Sequence, residues 1–138
     1  MEAMGLCVDT NILIALLRGD QQVINFLRKT KQQIVTTVIV EYELWAGEKK
    51  EENLSQLLRG IPVFELTRKS ARLAGAMFKD LRKKGKIVDP RDIFIAAICI
   101  EQKTPLYTLN RKHFTRLQEY GLEMFPKKDF SQEVCAKK

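Results

Sequence analysis

Three carboxylates in this sequence stand beside apolar residues, where an ionised group is costly unless a cation or several hydrogen-bond donors meet it. Asp9 ends the apolar run Gly5–Val8, Glu43 precedes Leu44, and Asp92 begins a further apolar run. Carboxylate oxygens suit Mg²⁺ and Mn²⁺, and a single histidine in 138 residues makes a zinc site improbable. The residue types therefore predict that Asp9, Glu43 and Asp92 converge on one hard divalent cation.

A divalent cation in such a site would suit hydrolysis of a phosphodiester bond. The metal lowers the pKa of a bound water and neutralises the charge that develops on the phosphoryl oxygens. The chain as a whole favours a polyanionic partner, because 24 Lys and Arg against 17 Asp and Glu give a formal charge of +7. Basic residues cluster in 28–31 and 79–86, although a lysine-rich run alone is also typical of a solvated helix face.

Each acid also has a structural explanation that involves no metal. Asp9 could cap the helix that follows it, Glu43 could be a surface residue of a helix, and Asp92 could be a first-turn acid favoured by the helix dipole. Their joint occurrence favours a site, because the elements around them would bring strand ends and helix starts to one edge.

Alternating strands and helices would position these acids. Apolar patterns and turn residues predict strands at 5–8, 33–37, 61–66, 105–108 and 122–125. The same signals predict helices at 11–18, from 20 onwards, at 48–58, 67–84, 91–102 and 111–117. Strict alternation indicates an α/β protein, a single-domain α/β/α sandwich with a central parallel sheet, whose right-handed crossovers place the loops after the strands along one edge.

Local pattern leaves some segments open. Residues 38–45 carry β-branched side chains that favour a strand, whereas their second half favours a helix that ends at Gly47. Pro62 suggests that the strand at 61–66 lies at the edge of the sheet or starts there, because proline cannot donate to a central ladder. The clearest helix is that at 67–84, whose apolar residues follow helical spacing: Ala71, Ala74, Met77, Phe78 and Leu81.

Composition indicates one globular domain. Hydrophobic residues make up 45% and charged residues 30% of the chain, which is typical of globular proteins. No apolar run approaches the roughly 20 residues of a membrane span, and no signal peptide is recognisable, so a cytoplasmic location without membrane contact is expected. The domain is expected to cover 1–125 and a polar tail 126–138. Cys7 and Cys99 lie in apolar runs and are predicted to be buried thiols.

Four segments carry the residues that look functional. The first is Val8-Asp9-Thr10-Asn11, and the second is 36–47, in which Glu43 precedes a leucine and a glycine follows closely. The third is 92–97, an aspartate followed by an apolar pair and two alanines, and the fourth is 106–114. In order and spacing they resemble the motifs of PIN-domain nucleases, in particular the VapC-type toxins of toxin–antitoxin pairs. The resemblance extends over residues 6 to 124.

The resemblance implies a metal-dependent endoribonuclease with a PIN-like α/β/α sandwich. It implies that Asp9, Glu43 and Asp92 are the metal-site acids, with Mg²⁺ or Mn²⁺ as the cofactor, and that residues 38–46 form a helix. It also implies an RNA substrate, a homodimer and a cognate antitoxin protein that blocks the site.

The fourth motif departs from the common pattern. Many relatives carry an acid where this chain has Asn110, which can hydrogen-bond to the site but supplies no charge, so the number of metal ions stays open. Thr10 and Thr108 are candidates for orienting the carboxylates or a bound water, and both could equally be hydroxyls that cap helices.

Two other functions compete with the nuclease. A doubly wound phosphatase or phosphoacceptor would use Asp9 as the nucleophile, but it would want a second acid where Asn11 stands. A non-catalytic RNA- or partner-binding module would use the sheet as a scaffold and the acids as caps, and fold alone cannot exclude it.

Overall fold

A computed structural model describes residues 5–47 and 50–127, and within this part of the chain strands and helices alternate. The strands are β1 (Gly5–Val8), β2 (Gln33–Thr37), β3 (Val63–Phe64) and β4 (Leu106–Tyr107). The α-helices are α1 (Thr10–Leu17), α2 (Gln21–Thr30), α3 (Val38–Ala46), α4 (Glu51–Leu58), α5 (Arg68–Lys83), α6 (Pro90–Glu101) and α7 (Arg111–Thr115). A 3₁₀ turn follows at Gln118–Tyr120.

The strands form one parallel sheet in the order β3-β2-β1-β4, which confirms the predicted α/β class. The chain runs outwards from β1 through β2 to β3 and then returns to form β4 on the other side of β1. Strand order therefore reverses between β1 and β4. Ligands of open α/β sheets bind outside the carboxyl ends of the strands at such a point, so the residues that follow β1 and β4 form the first place to look for a site.

The centre of the sheet is buried. All four residues of β1 are buried, which is typical of a parallel strand covered on both faces. In the pair of β1 and β4, Cys7 lies opposite Leu106 and Val8 lies opposite Tyr107. The apolar run of α6 supplies much of the core that packs here: Ile93, Ile95, Ala96, Ala97, Ile98 and Cys99. Cys7 and Cys99 are both buried free thiols, as predicted.

Capping explains why residues 38–46 are helical despite their β-branched side chains. Thr37 ends β2, and its hydroxyl accepts a hydrogen bond from the backbone N–H of Val40. This satisfies one of the otherwise unpaired donors at the helix start. Burial of Val40 and Leu44 then stabilises the helix by packing, which outweighs the weak intrinsic preference. The predicted end of α5 at a glycine is also confirmed, because Gly85 has φ of +71°, a conformation that favours glycine.

Three strand predictions need correction, and the first is the strand predicted at 105–108, which shortens to β4. The strand predicted at 61–66 shortens to β3, although it lies at the sheet edge as Pro62 indicates. The strand predicted at 122–125 is wrong: only one parallel bridge forms, between Leu106 and Met124. Its partner β4 contains two residues, so the ladder cannot extend further.

The helix predictions hold in type but differ in detail. Ala71 and Phe78 lie on the exposed side of α5, so the buried stripe of this helix is narrower than its apolar pattern. The helix predicted at 48–58 is described from Glu51 onwards, because residues 48 and 49 lie outside the described ranges. Most of the tail predicted at 126–138 is likewise outside them. No helix in the described ranges combines the length and apolarity that a membrane crossing requires.

Candidate active site

Asp9 lies where the strand order reverses, after the end of β1 and before the start of α1. Its side chain is 6% exposed, and it caps the helix by accepting a hydrogen bond at Oδ1 from Thr10 N at 2.8 Å. Its other oxygen, Oδ2, accepts a hydrogen bond from Thr108 Oγ1 at 2.8 Å. Burial raises the pKa of Asp9, while the bonds from Thr108 and Thr10 act in the opposite direction. Asp9 therefore caps α1 and also belongs to a polar site.

Thr108 connects the segments that follow β1 and β4. Besides donating to Asp9, its hydroxyl oxygen accepts from the backbone N–H of Asn110 at 3.0 Å and from Asn11 Nδ2 at 3.4 Å. Asn11 Oδ1 in turn accepts from Leu109 N at 3.1 Å. These bonds join two segments almost a hundred residues apart in sequence, so the position of the Asp9 carboxylate depends on both.

Glu43 projects from α3 towards the same edge. Its Oε1 accepts a hydrogen bond from Thr10 Oγ1 at 2.9 Å, and its Oε2 lies 3.6 Å from Arg91 Nη1. Burial raises the pKa of Glu43, and the negative charge of Asp9 raises it further, against the opposing hydrogen bond from Thr10. Thr10 therefore contacts both acids, through its backbone at Asp9 and its hydroxyl at Glu43.

Asp92 lies in the first turn of α6. Burial raises its pKa to about 6, and the charges of Asp9, Asp89 and Glu43 add to the shift. His113 acts in the opposite direction, with Nδ1 at 3.5 Å from Asp92 Oδ2. The three acids singled out in the sequence thus lie near enough for their charges to disturb one another.

At this edge of the sheet negative charge exceeds positive charge. Each of the three acids holds its proton more tightly than in water, so ionisation of all three together is unfavourable. Within the ranges that the structure describes, no group of three or more His, Cys, Asp or Glu side chains is arranged to ligate one ion directly. Mg²⁺ does not need such a group, because it keeps several waters and uses one or two carboxylates. The donor set fits a hydrated hard cation.

The supporting residues predicted from sequence fall into two groups. Thr10 and Thr108 each donate a side-chain hydrogen bond to an acid of the site. Asn110 is exposed and precedes α7, and its side chain makes no capping hydrogen bond there. Its backbone, rather than its amide group, is the part that contacts Thr108.

Sequence reasoning missed the contacts of Asn11, Arg91 and His113. Arg91 pairs with Asp89 at 2.8 Å as well as approaching Glu43, and it is adjacent in sequence to Asp92. A charged cluster just before an apolar helix was a signal that could have identified it. The contact of His113 with Asp92 carried no local signal, because the two residues belong to separate helices.

Comparison with known proteins decides the family. The family model of the PIN domain matches residues 6–120, which is most of the chain. The chain belongs to the PIN-domain family. Each of the four motifs and all six residues predicted for the site lie inside the matched range.

Curated relatives of this PIN domain are ribonucleases named VapC. Ribonuclease VapC of Rickettsia bellii is 31% identical over 134 residues, covering 91% of this chain and 100% of the relative. Ribonuclease VapC1 of Methanocaldococcus jannaschii is 29% identical over 129 residues, covering 91% of this chain and 90% of the relative. The similarity therefore extends over at least 90% of this chain and of both relatives.

Solved structures share the fold. The chain is similar to VapBC2 from Rickettsia felis, solved with a DNA fragment from the promoter, with a TM-score of 0.69 and 27% identity over 82% of this chain and 92% of the other. DNA-bound VapBC from Salmonella typhimurium has a TM-score of 0.75 and 22% identity, over 88% of this chain and 96% of the other. The predicted PIN-like sandwich is confirmed.

Proposed function

We propose that this PIN-domain protein is a divalent-metal-dependent endoribonuclease and the toxin of a toxin–antitoxin pair. The observation that supports this most is the group of three acids with raised pKa at the point where strand order reverses. A site short of positive charge inside a chain of net charge +7 suits a metal ion at the reacting phosphate and basic residues along the flanking backbone. The names of the curated relatives agree with this chemistry.

Asp9 and Asp92 would hold Mg²⁺ or Mn²⁺, with Glu43 beside them. When bound, the ion would supply an activated water and neutralise charge on the phosphoryl group. Thr108 would fix the Asp9 carboxylate through the bond to Oδ2, and Thr10 would fix Glu43. Asn110 would offer an uncharged oxygen to the site.

RNA cleavage by the purified protein tests the proposal. Cleavage should require Mg²⁺ or Mn²⁺ and stop in excess chelator, and Asp9→Asn should reduce the rate by about a thousandfold or more. Asp80→Asn is the matched control, because Asp80 is an exposed acid of α5 outside the site. Cleavage that persists after confirmed metal removal would refute the mechanism. RNA binding without cleavage under all metal conditions would favour the binding module instead.

The proposal includes a cognate antitoxin and a homodimer, both acting in the cytoplasm. Two VapBC structures with the same fold as this chain are complexes bound to DNA. Arg91 lies 3.6 Å from Glu43, which supports the idea that an arginine from a partner could meet the acids in a similar way. Copurification of the two products of a shared locus, and loss of cleavage in the complex, would test the partnership. Independent migration of the two proteins would contradict it.

A further inference from the structure

A cleft of about 290 Å³ opens next to the acid site, between the start of α6 and the exposed side of α7. Asp92 and Asp89 line it from the start of α6, and Lys112, His113 and Arg116 line it from α7 and the residue that follows this helix. Because Asp92 belongs both to the cleft and to the acid site, a polymer that crosses the acids continues directly into the cleft.

Lys112 and Arg116 bring two positive charges to the cleft. Asp89 is already paired, because Arg91 Nη2 lies 2.8 Å from its Oδ2. Arg116 Nη1 donates to the backbone carbonyl of Ile87 at 3.3 Å, which fixes the guanidinium at the wall of the cleft. Lys112 is exposed and makes no hydrogen bond or ion pair with any residue that the structure describes. Lys112 of α7 and Arg116, which directly follows that helix, are thus available to an anion.

The rim of the cleft carries an apolar side chain. Ile87 is 93% exposed, the largest exposure among the large hydrophobic residues of the described ranges. It lies in the turn between α5 and α6 and lines the same cleft as Lys112. An apolar surface beside two cations suits a ligand that has a flat base next to a phosphate.

We propose that this cleft binds the nucleotide of single-stranded RNA that flanks the bond cleaved at the acids. Lys112 and Arg116 bind its phosphate, and Ile87 contacts its base. The cleft is at the lower end of the range for small-ligand pockets, about 300 Å³ and upwards, so it suits one nucleotide and not a duplex. The inference rests on the proposed function and adds the direction in which the RNA leaves the acid site.

Equilibrium binding with a matched pair of double variants tests the inference. A fluorescently labelled oligouridylate is titrated with the full chain in excess chelator at several salt concentrations, with anisotropy as the readout. Lys112→Gln/Arg116→Gln removes one lysine and one arginine from the cleft. Lys69→Gln/Arg72→Gln is the control and removes the same two residue types from the start of α5. This part of α5 lies beside the last residue of α6, Glu101, to which Thr67 donates a hydrogen bond, whereas the cleft lies at the start of α6.

The cleft variant should bind the RNA about tenfold more weakly than the control, and its slope of log affinity against log salt should fall by about 0.7, the contribution of one neutralised phosphate of a single strand. In Mg²⁺ its loss of cleavage should appear in KM more than in kcat. Ile87→Ser should weaken binding of the oligouridylate and leave binding of an abasic oligonucleotide unchanged. If Arg116→Gln lowers the melting temperature, Lys112→Gln alone carries the test.

Equal affinity and equal salt slope for the two double variants would overturn the inference while leaving the nuclease intact, provided that the wild type still cleaves RNA with Mg²⁺. A wild type that neither binds nor cleaves RNA would overturn the proposed function and the inference together.

Discussion

Two groups of acids on this chain differ in how their negative charge is met. On the surface, Lys84 Nζ lies 2.8 Å from both Asp80 Oδ2 and Glu119 Oε1, and hydrogen bonds from this lysine lower the pKa of both acids. At the carboxyl edge of the sheet, burial raises the pKa of Asp9 and Asp92 instead. The fold supplies a cation to the first group and leaves the second short of one.

The difference separates a structural network from a site. The surface acids are about 40% exposed and already paired, so they have little to gain from an outside ion. The acids of the sheet edge are largely buried, and the basic side chains described within 4 Å of them, Arg91 and His113, are both more than half exposed. An unfavourable group of charges persists only where other contacts hold it in place, and such groups are concentrated at functional sites.

Loss of the Thr108 hydroxyl should produce the largest difference between the acid site and the surface network, measured as a fall in kcat. Thr108→Val removes the donor to Asp9 and the acceptor of two further bonds, so kcat should fall about 10- to 100-fold, in line with the loss of an outer partner of a metal ligand. Thr108→Ser should restore most of the rate. Tyr120→Phe is the matched control, because it removes the hydroxyl that donates to Asp80 and should leave cleavage unchanged. An equal loss of rate in Thr108→Val and Tyr120→Phe would contradict a specific role for the Thr108 hydroxyl in cleavage.

Neutralisation of one acid should have opposite effects on stability in the two groups. Asp92→Asn should raise the free energy of unfolding at pH 7 without metal by about 1 kcal/mol, because it relieves burial and repulsion of a charge. Asp80→Asn should lower the melting temperature, because it removes a partner of Lys84. Urea unfolding of both variants beside the wild type would measure this. Destabilisation by both substitutions would contradict the proposed shortage of cations at the site.

The stability difference between wild type and Asp92→Asn should depend on pH. Folded protein keeps the Asp92 proton up to about pH 6, whereas the unfolded chain loses it near 3.8, so the folded state binds more protons between these values. The contribution of Asp92 to stability is therefore present below about pH 4 and lost as pH rises through 6. Added Mg²⁺ should oppose the loss in wild type only. A difference that stays constant from pH 4 to 7 would be inconsistent with the raised pKa.

Removal of Arg91 should have the smallest effect, a slight change in the affinity for Mg²⁺. Arg91→Gln takes away the cation nearest to Glu43 and makes the site more negative, so Mg²⁺ should bind about threefold more tightly, as expected for a half-exposed ion pair. Calorimetric titration of the metal-free protein measures the change. Lys84→Gln should leave the affinity for Mg²⁺ unaltered, and weaker binding to Arg91→Gln would mean that the arginine organises the site rather than competing with the ion.

Local pattern was sufficient for most of the fold, whereas the role of the three acids stays a prediction. The apolar run of β1, the helical spacing of α5 and the glycine at its end each reflect interactions within a few residues, and all three appear in the structure. It was insufficient at α3, where the cap by Thr37 and burial of Val40 overrode β propensity. It also predicted a strand at 122–125, because an apolar run does not reveal that its only partner strand is two residues long.

Contacts across the site could not be read from local pattern. The bond from Thr108 to Asp9 and the approach of His113 to Asp92 join different elements, and each depends on sheet order and helix placement. The three acids were predicted because each is locally unusual. Arg91 and His113 were not predicted. The charged cluster before α6 was a signal for Arg91, whereas an exposed histidine is ordinary in sequence.

The bond between Asp9 and Thr108 also has a consequence for synthesis. During translation the hydroxyl partner of Asp9 is joined to the chain 99 residues after Asp9 itself. At about 10 residues per second, this interval lasts roughly ten seconds. During that time the nascent polypeptide has the carboxylate without the strand that orients it. A ribosome making this protein therefore meets the assembled centre only after Thr108 has been added.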